Sequence, residues 1–393
     1  MNRLILLIII THLFYWSTIA GQYKQDFGIT HGPYLCDMSE TAVTIVWLTN
    51  HNALSWVEIA PDDGSHFYGK ERPKYFDTYL GRKQAATHLH KVRIENLTPG
   101  TRYRYAVFSK EVLSWENDAK IIYGVTVANP AYSRNSLSFK TFSASDDTVS
   151  FIMFNDIHGR AQFMKDLCKG IDFSSVDMVF FNGDMSSSII SEEQIFTDFM
   201  DASIELFAKR VPIIFNRGNH ETRGPFADFL MDYFPVRDGK VYRTFNVGDA
   251  AFLILDCGED KPDSDIEYSG LADFDAYRNE QAAWLEKTIK QKEFREAKAR
   301  IVILHMPPAV SDWHGTLHID EKFLPLLNKA NIDVVLSGHT HNYSYNAPVE
   351  GKTSFPVIVN SNNAYLRGDV INGVIYIKLC GPEGTKTIEH VLK

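Results

Sequence analysis

The stretch Phe154-Asn155-Asp156-Ile157-His158-Gly159 follows a short apolar run at residues 151–154, and four later stretches repeat this arrangement. They are F-N-G-D at 181–184, R-G-N-H-E at 217–221, L-H-M-P-P at 304–308 and S-G-H-T-H-N at 337–342. The apolar runs at 178–181, 211–215, 301–304 and 334–336 have the length and composition of buried strands in a largely parallel sheet. Polar residues that follow such strands meet where open α/β sheets bind ligands. The pattern therefore predicts an α/β domain with a polar site at its strand ends.

The polar residues of the five stretches form a mixed set of nitrogen and oxygen ligands. Two carboxylates, one amide and four imidazoles make up the set: Asp156, Asp184, Asn219, His158, His305, His339 and His341. This mixture suits transition metals rather than calcium or magnesium alone. Seven ligands are too many for one catalytic ion with an open position, and they suit two ions that share a bridge. Core histidines and strand-end caps are the competing interpretation, which the ordered set of five stretches disfavours.

The ordered set D-x-H, G-D, G-N-H-E, H and G-H-x-H is similar to that of the calcineurin-like metallophosphoesterase superfamily. The resemblance implies a four-layer α/β/β/α sandwich. By resemblance, one ion is held by Asp156, His158, Asp184 and His341, and the other by bridging Asp184 with Asn219, His305 and His339. His220 matches the family histidine that lies beside the metals and assists the leaving group. Manganese, zinc and iron all tolerate this ligand set, so the identity of the ions stays open.

The N-terminal part has an all-β pattern. Residues 41–47 and 101–107 alternate between apolar and polar side chains, as half-buried strands do. The stretch from His88 to Tyr105 resembles the E–F region of fibronectin type III sandwiches, and the order of a β-sandwich followed by a metal domain resembles purple acid phosphatases. We therefore expect an all-β sandwich at 22–143 followed by an α/β metallophosphoesterase domain at 148–393. Trp47, Tyr103 and Tyr105 are expected in the sandwich core rather than on a sugar-binding face.

Two positions depart from the purple acid phosphatase pattern. That family carries D-x-G in the first stretch and a tyrosine three residues after the second aspartate. This chain has His158 and Ser187 at those positions. The ligand set therefore resembles the calcineurin-type enzymes, while the domain order resembles purple acid phosphatases. Two amphipathic helices, at 191–209 and 279–299, are predicted to cover the sheet.

The first twenty residues have the features of a signal peptide. Arg3 provides a positive start, residues 4–10 an apolar segment, and residues 18–20 a small-residue cleavage site. An uncleaved membrane anchor is the alternative, but Thr11 and His12 interrupt a stretch that is already short for a span. We expect export to the periplasm or medium, with no membrane span after cleavage.

Composition limits the partners. The chain has 393 residues, 45% of them hydrophobic, and a formal net charge of -9, which argues against nucleic acid as a bulk electrostatic partner. Cys36, Cys168, Cys257 and Cys380 have no C-x-x-C spacing, so a cysteine zinc site is not expected, while their disulfide state stays open. Nothing in the sequence indicates the oligomeric state.

Residues near the ligands have two open interpretations each. Arg217 and Arg223 suit phosphate oxygens as arginine forks, or pair with nearby carboxylates. Trp313 and His314 contact the leaving group, or simply pack within their loop. Other neighbours are expected just behind the ligands: Glu221, Asn182 and Asn342. Glu221 either orients His220 or acts as an ordinary helix-start carboxylate.

These observations predict an exported hydrolase of a small phosphorylated substrate. Attack of a metal-bridging hydroxide on a phosphate monoester is the favoured reaction. A phosphodiesterase acting on cyclic nucleotides, glycerophosphodiesters or lipid headgroups is the alternative, since the same metals serve both reactions. A binding protein built on a hydrolase fold is the third possibility, and it is disfavoured because no ligand is missing.

Overall fold

The part of the chain described by the structure, a computed structural model, comprises residues 26–131, 137–382 and 387–392. The signal peptide predicted at residues 1–20 lies outside these residues. Within them, no helix is both long and apolar enough to cross a membrane.

The N-terminal part is a β-sandwich, as predicted. Its strands are β1 Ile29–Cys36, β2 Val43–Thr49, β3 Ala53–Pro61, β4 Lys74–Phe76, β5 Thr78–Tyr79, β6 Arg82–Lys83, β7 Leu89–Ile94, β8 Arg102–Trp115, β9 Ile121–Ala128 and β10 Leu137–Lys140. One layer contains β1, β2 and β7; the other has the order β10-β8-β3-β4, with β9 beside β8. The Nε1 of Trp47 in β2 donates to the Ser109 hydroxyl in β8 at 2.9 Å and so joins the layers. Trp47, Tyr103 and Tyr105 are buried, which confirms their core position.

The strands of the following α/β part lie in two sheets. They are β11 Thr148–Phe154, β12 Met178–Asn182, β13 Ile213–Asn216, β14 Arg243–Val247, β15 Ala250–Leu255, β16 Ala299–Leu304, β17 Val334–Ser337, β18 Ser344–Asn346, β19 Val357–Val359, β20 Tyr365–Ile371, β21 Val374–Cys380 and β22 Ile388–Leu392. The first sheet has the order β22-β21-β20-β11-β12-β13, and the second has the order β14-β15-β16-β17-β19-β18. The pairs β11–β12, β12–β13, β15–β16, β16–β17 and β17–β19 are parallel.

Three hydrophobic cores define four layers, α/β/β/α. The central core joins the inner faces of the two sheets, where the rings of Phe151, Phe180 and Phe252 meet with centroids 5.4–5.6 Å apart. The second core lies between the first sheet and the helical segments around residues 161–234, and the third between the second sheet and the helical segments around residues 274–327. This arrangement confirms the predicted four-layer sandwich.

The helices match the predicted positions with one correction. The α-helices are α1 Ala161–Leu167, α2 Glu192–Ile195, α3 Asp201–Ser203, α4 Leu230–Tyr233, α5 Phe274–Thr288, α6 Lys292–Glu296, α7 His314–Lys322 and α8 Leu324–Leu327. The π-helical turns Phe196–Met200 and Ile204–Ala208 extend α2 and α3, which agrees with the predicted helix at 191–209. The predicted helix at 279–299 begins earlier and is divided, and its last residue, Ala299, starts β16 because it pairs with Ala250 in the parallel sheet.

The sandwich and the α/β part share one sheet. Strand β1 pairs in parallel with β13, in the register of Cys36 with Ile213, so the first sheet continues through β1-β2-β7 and has nine strands. The Tyr105 hydroxyl also donates to the Lys209 carbonyl at 2.8 Å. The boundary at residues 143–148 therefore stays a prediction, because the sheet continues across it. All four cysteines are free thiols.

Candidate metal centre

The five predicted stretches end strands of two facing sheets. Strands β11, β12 and β13 carry the first three stretches, and β16 and β17 carry the last two. The sequence interpretation placed them on one largely parallel sheet; in the structure the second sheet supplies His305, His339 and His341. The ligands consequently converge from both sheets at the carboxyl ends of their strands.

The backbone takes an uncommon conformation at most of these positions. Five of the predicted ligands have left-handed φ angles: Asp156 at 52°, His158 at 49°, Asp184 at 56°, His339 at 69° and His341 at 62°. Non-glycine residues adopt such angles only rarely, and each costs about 1–3 kcal/mol. A cluster of these angles at converging strand ends indicates a functional site.

One group of potential ligands comprises Asp156, His158 and His341. The Oδ1 of buried Asp156 lies 3.3 Å from His341 Nε2 and 3.9 Å from His158 Nε2. The two imidazole Nε2 atoms are 3.2 Å apart. These three atoms surround a space suited to one cation.

A second group comprises Asp184, His305 and His339. His305 Nε2 lies 3.1 Å from Asp184 Oδ2, and His339 Nδ1 lies 3.1 Å from the side-chain oxygen of Asn219. Asp184 belongs as well to a third group, with His158 and His220. Asp184 thus lies between the two groups, where a bridging carboxylate would be.

Two buried atoms at this site have a predicted ligand atom nearby but no partner in hydrogen-bonding geometry among the described residues: Asp156 Oδ1 and His305 Nε2. Buried polar atoms are normally satisfied, so both indicate a ligand position for an ion. Two glycines leave the space that these carboxylates occupy. A Cβ on Gly218 would lie 2.1 Å from Asp184 Oδ1, and a Cβ on Gly338 would lie 2.6 Å from Asp156 Oδ2. The donor set therefore fits two transition-metal ions.

The electrostatics of the site favour a cation. Burial lowers the pKa of His305, but Asp184 and Asp156 outweigh it and raise that pKa to about 10. Burial raises the pKa of Asp184, yet His305 and His220 hold it well below its usual range. Burial and the neighbouring His305 lower the pKa of His339 to about 4, so His339 is a neutral imidazole, as metal ligation requires. The same negative field that holds a proton on His305 would attract a metal ion.

His220 is oriented towards the space beside Asp184. Its backbone N–H donates to Asp184 Oδ1 at 3.0 Å, and its Nδ1 lies 2.8 Å from the Ser187 carbonyl oxygen. Since a carbonyl only accepts, Nδ1 carries a proton. The other nitrogen, Nε2, is 3.9 Å from Asp184 Oδ2 and faces the site.

The residues predicted behind the ligands have distinct contacts. Buried Glu221 accepts from the backbone N–H groups of Asp184, Met185 and Gly218 at 2.7–2.8 Å, so it supports the Asp184 loop rather than the His220 ring. Burial and Asp184 raise the pKa of Glu221 to about 7. The Asn182 carbonyl accepts from His305 Nδ1 at 2.7 Å, which turns His305 Nε2 towards Asp184. Exposed Asn342 donates to the Thr340 carbonyl, between the two histidines of the last stretch.

The four predicted substrate contacts divide into two kinds. Three are bound to carboxylates: Arg217 to Asp256 at 2.7 Å, Arg223 to Glu259 at 2.7 Å and His314 to Asp275 at 2.9 Å. For Arg217 and Arg223 these carboxylates are the structural alternative that the sequence left open, whereas His314 pairs with Asp275 of α5 and not within its own loop. Trp313 differs, because its half-exposed ring lies 5.9 Å from the His339 ring at an interplanar angle of 89°. Trp313 is the one of the four that contacts a predicted ligand.

Sequence reasoning missed Arg160. Its guanidinium donates to the carbonyls of Asp156 and Ile157 at 2.9 Å, to the Asn362 carbonyl, and to the Asn363 side chain at 3.1 Å. The Asn362 N–H in turn donates to the His341 carbonyl at 3.2 Å. Arg160 therefore joins the loops that carry the first and last stretches. Its position directly after His158-Gly159 was the only available signal.

Comparisons with known proteins agree with this geometry. Residues 149–343 match the calcineurin-like phosphoesterase family, and residues 34–121 match the N-terminal domain of purple acid phosphatases. The chain is 23% identical to purple acid phosphatase 21 of Arabidopsis thaliana over 74% of its length, and 24% identical to an uncharacterized protein of Mycobacterium tuberculosis over 82%. These alignments span 62% of each relative. A purple acid phosphatase from yellow lupin seeds has the same fold, with a TM-score of 0.65 and 14% identity over 91% of this chain and 73% of that one.

The fold, the converging predicted ligands and the family match define residues 149–343 as a calcineurin-like phosphoesterase domain. The chain has the two-domain order of the purple acid phosphatases, with the N-terminal sandwich preceding the metal domain.

Proposed function

We propose that this protein is an exported phosphoesterase with two metal ions that hydrolyses phosphate monoesters. The observation that carries the proposal is the position of Asp184, which belongs both to the group with His305 and His339 and to the group with His158 and His220. A carboxylate between two imidazole groups is the arrangement that a two-metal hydrolase requires. The phosphatase names of the Arabidopsis and lupin relatives support a monoester as substrate.

The proposed ligands are those implied by the family pattern. Asp156, His158, Asp184 and His341 would hold one ion, and Asp184, Asn219, His305 and His339 the other. When bound, two such ions activate water and neutralise charge on a phosphoryl group. The identity of each ion, manganese, zinc or iron, is part of the proposal to be tested.

The chain's own contribution to the reaction is positioning and proton transfer. His220 holds a proton on Nδ1 against the Ser187 carbonyl, so Nε2 is the nitrogen available to the leaving oxygen. Glu221 and Arg160 fix the loops of Asp184 and Asp156, which keeps the ligands in place. Trp313 would cover one side of the leaving group.

A phosphodiesterase is the second candidate. Trp313 is 52% exposed beside His339 and offers apolar surface to a second ester group.

Hydrolysis of 4-nitrophenyl phosphate and bis(4-nitrophenyl) phosphate would test both candidates. The protein would be loaded separately with manganese, zinc and iron, and compared with Asp184→Asn and with Asp118→Asn, a change in an exposed sandwich loop. Monoester turnover lost only in Asp184→Asn would support the proposal. Preference for the diester would favour the second candidate. No turnover of either ester with two ions bound would instead indicate a binding protein.

Export needs a separate measurement. The N-terminal sequence of protein recovered from the medium or periplasm would begin at Gly21 if the predicted signal peptide is cleaved. Recovery only with the cell membrane, with residues 1–20 retained, would refute it.

A further inference from the structure

A cavity of about 360 Å³ lies where the sandwich meets the α/β part. It is bounded by the residues after β1, the segment 236–245 and the last turns of α5, including Trp284. None of the described residues that line it is a predicted metal ligand. We call it the basic cavity because of its charged lining.

The basic cavity has more positive than negative side chains. Its charged lining residues are the cations Arg93, Arg237, Lys240 and Arg243 and the carboxylates Asp37 and Asp238. This excess occurs in a chain whose formal net charge is -9. The cavity is therefore a local exception to the charge of the protein.

Two of the four cations already have carboxylate partners. Asp37 accepts from Arg93 at 2.5 Å, and Lys240 is paired with Glu280 at 2.5 Å. The ion pair with Arg93 engages Asp37. The remaining cations, Arg237 and Arg243, have no carboxylate within ion-pair distance among the residues that the structure describes.

Arg243 is the more informative of the two. Its guanidinium donates to the carbonyls of Val241 and Phe215 at 2.5 and 3.0 Å, and both of these partners are neutral. Burial lowers the pKa of Arg243 to about 10, against the opposing influence of Asp37. Arg243 is partly buried, and a partly buried charge with no ion pair of its own is held at a cost in free energy. An anion in the cavity would remove that cost.

We propose that the basic cavity binds a phosphate group, carried by inorganic phosphate or by a small phosphate ester, against Arg243 and Arg237. The planar fork of a guanidinium matches phosphate oxygens. The contacts of Arg243 with the Val241 and Phe215 carbonyls hold its guanidinium in place. The volume accommodates a small phosphorylated molecule. This site is separate from the metal centre and does not rest on the phosphoesterase activity.

Calorimetric titration of the full chain with inorganic phosphate, and separately with phenylphosphonate, would test the proposal. Asp184→Asn removes a shared metal ligand and isolates binding outside the metal centre. In that background we expect saturable phosphate binding that Arg243→Gln weakens about 10- to 100-fold, since hydrogen bonds to charged groups are lost. Arg237→Gln, at an exposed position, should weaken it about two- to fivefold. Arg102→Gln, an exposed arginine outside the cavity, is the matched control.

The outcomes are distinct. Binding of phosphate without phenylphosphonate would identify free phosphate as the ligand, and binding of both would identify phosphate esters. Absence of saturable binding in Asp184→Asn would overturn the proposal, as would equal losses in Arg237→Gln and Arg102→Gln. If Arg243→Gln does not fold, the comparison of Arg237→Gln with Arg102→Gln decides. Chromogenic ester turnover retained by Arg237→Gln in the chain that keeps Asp184 would show that this substitution leaves the metal centre intact.

Discussion

Replacing Gly218 by alanine should disable the metal centre while leaving the fold intact. A Cβ at this position would lie 2.1 Å from Asp184 Oδ1 and 2.8 Å from the Asp184 backbone nitrogen. Gly218 is not among the residues with positive φ, so alanine is compatible with its backbone conformation. The effect of Gly218→Ala therefore comes from the contact with Asp184 alone.

The expected loss of activity follows from the distance by which Asp184 must move away from the new methyl group. Ordinary contact begins at 3.4 Å, so the Asp184 carboxylate and the new methyl group must separate by more than 1 Å. A misplacement of about 1 Å at a catalytic group costs roughly 100-fold in rate. We expect turnover to fall by about that factor, together with the loss of at least one bound metal ion per chain.

Metal content by mass spectrometry and turnover of a chromogenic phosphate ester would be measured on the same preparation. Gly28→Ala is the matched control, because the nearest atom to its Cβ would be the Asp26 carbonyl oxygen at 4.0 Å. Two ions per chain and wild-type turnover in Gly218→Ala would refute the reasoning, since Asp184 would then tolerate the displacement.

Three further changes test other parts of the structure. Glu221→Gln places an amide donor against backbone N–H groups, and should lower the free energy of unfolding by about 1–3 kcal/mol in urea titrations. An unchanged midpoint would contradict the role of Glu221 as a buried acceptor. Arg160→Lys removes the guanidinium that joins the loops of the first and last stretches, and should weaken metal affinity about 10- to 100-fold in chelator competition. Unchanged affinity would show that these loops keep their positions without Arg160. Burial lowers the pKa of His90 to about 3. Below about pH 6.5, His90 therefore binds a proton in the unfolded chain but not in the folded chain. Stability should therefore fall as pH drops from 6.5 towards 3, by up to about 1.4 kcal/mol per pH unit, and His90→Gln should reduce this slope in urea titrations; an equal slope would refute the assignment.

The position of the candidate ligands at strand ends was predictable because each stretch is local. An apolar run followed by Asp156 or His305 signals a buried strand and its polar end without reference to the rest of the chain. The division of those strands between two sheets was not predictable in the same way. Strand pairing depends on contacts between distant residues, as in the pairing of Cys36 with Ile213.

The same limit applies to the arginines. Arg217 and Arg223 looked like phosphate ligands because they flank a predicted metal-binding stretch, but their partners, Asp256 and Glu259, lie 39 and 36 residues further along the chain. Arg160 had no recognisable pattern, since three of its four acceptors are main-chain carbonyls, which every residue possesses. Side-chain to backbone contacts of this kind become visible only in three dimensions.

The nine-stranded sheet affects how the chain could be shortened. Strand β13 lies between β12 and β1, so a chain that began at the metal domain would present β13 as an open strand edge. Its residues Ile213, Ile214 and Phe215 are buried, and an apolar edge of this kind readily pairs with another chain. We therefore expect removal of the N-terminal sandwich to promote self-association of the remaining chain and so to lower its solubility.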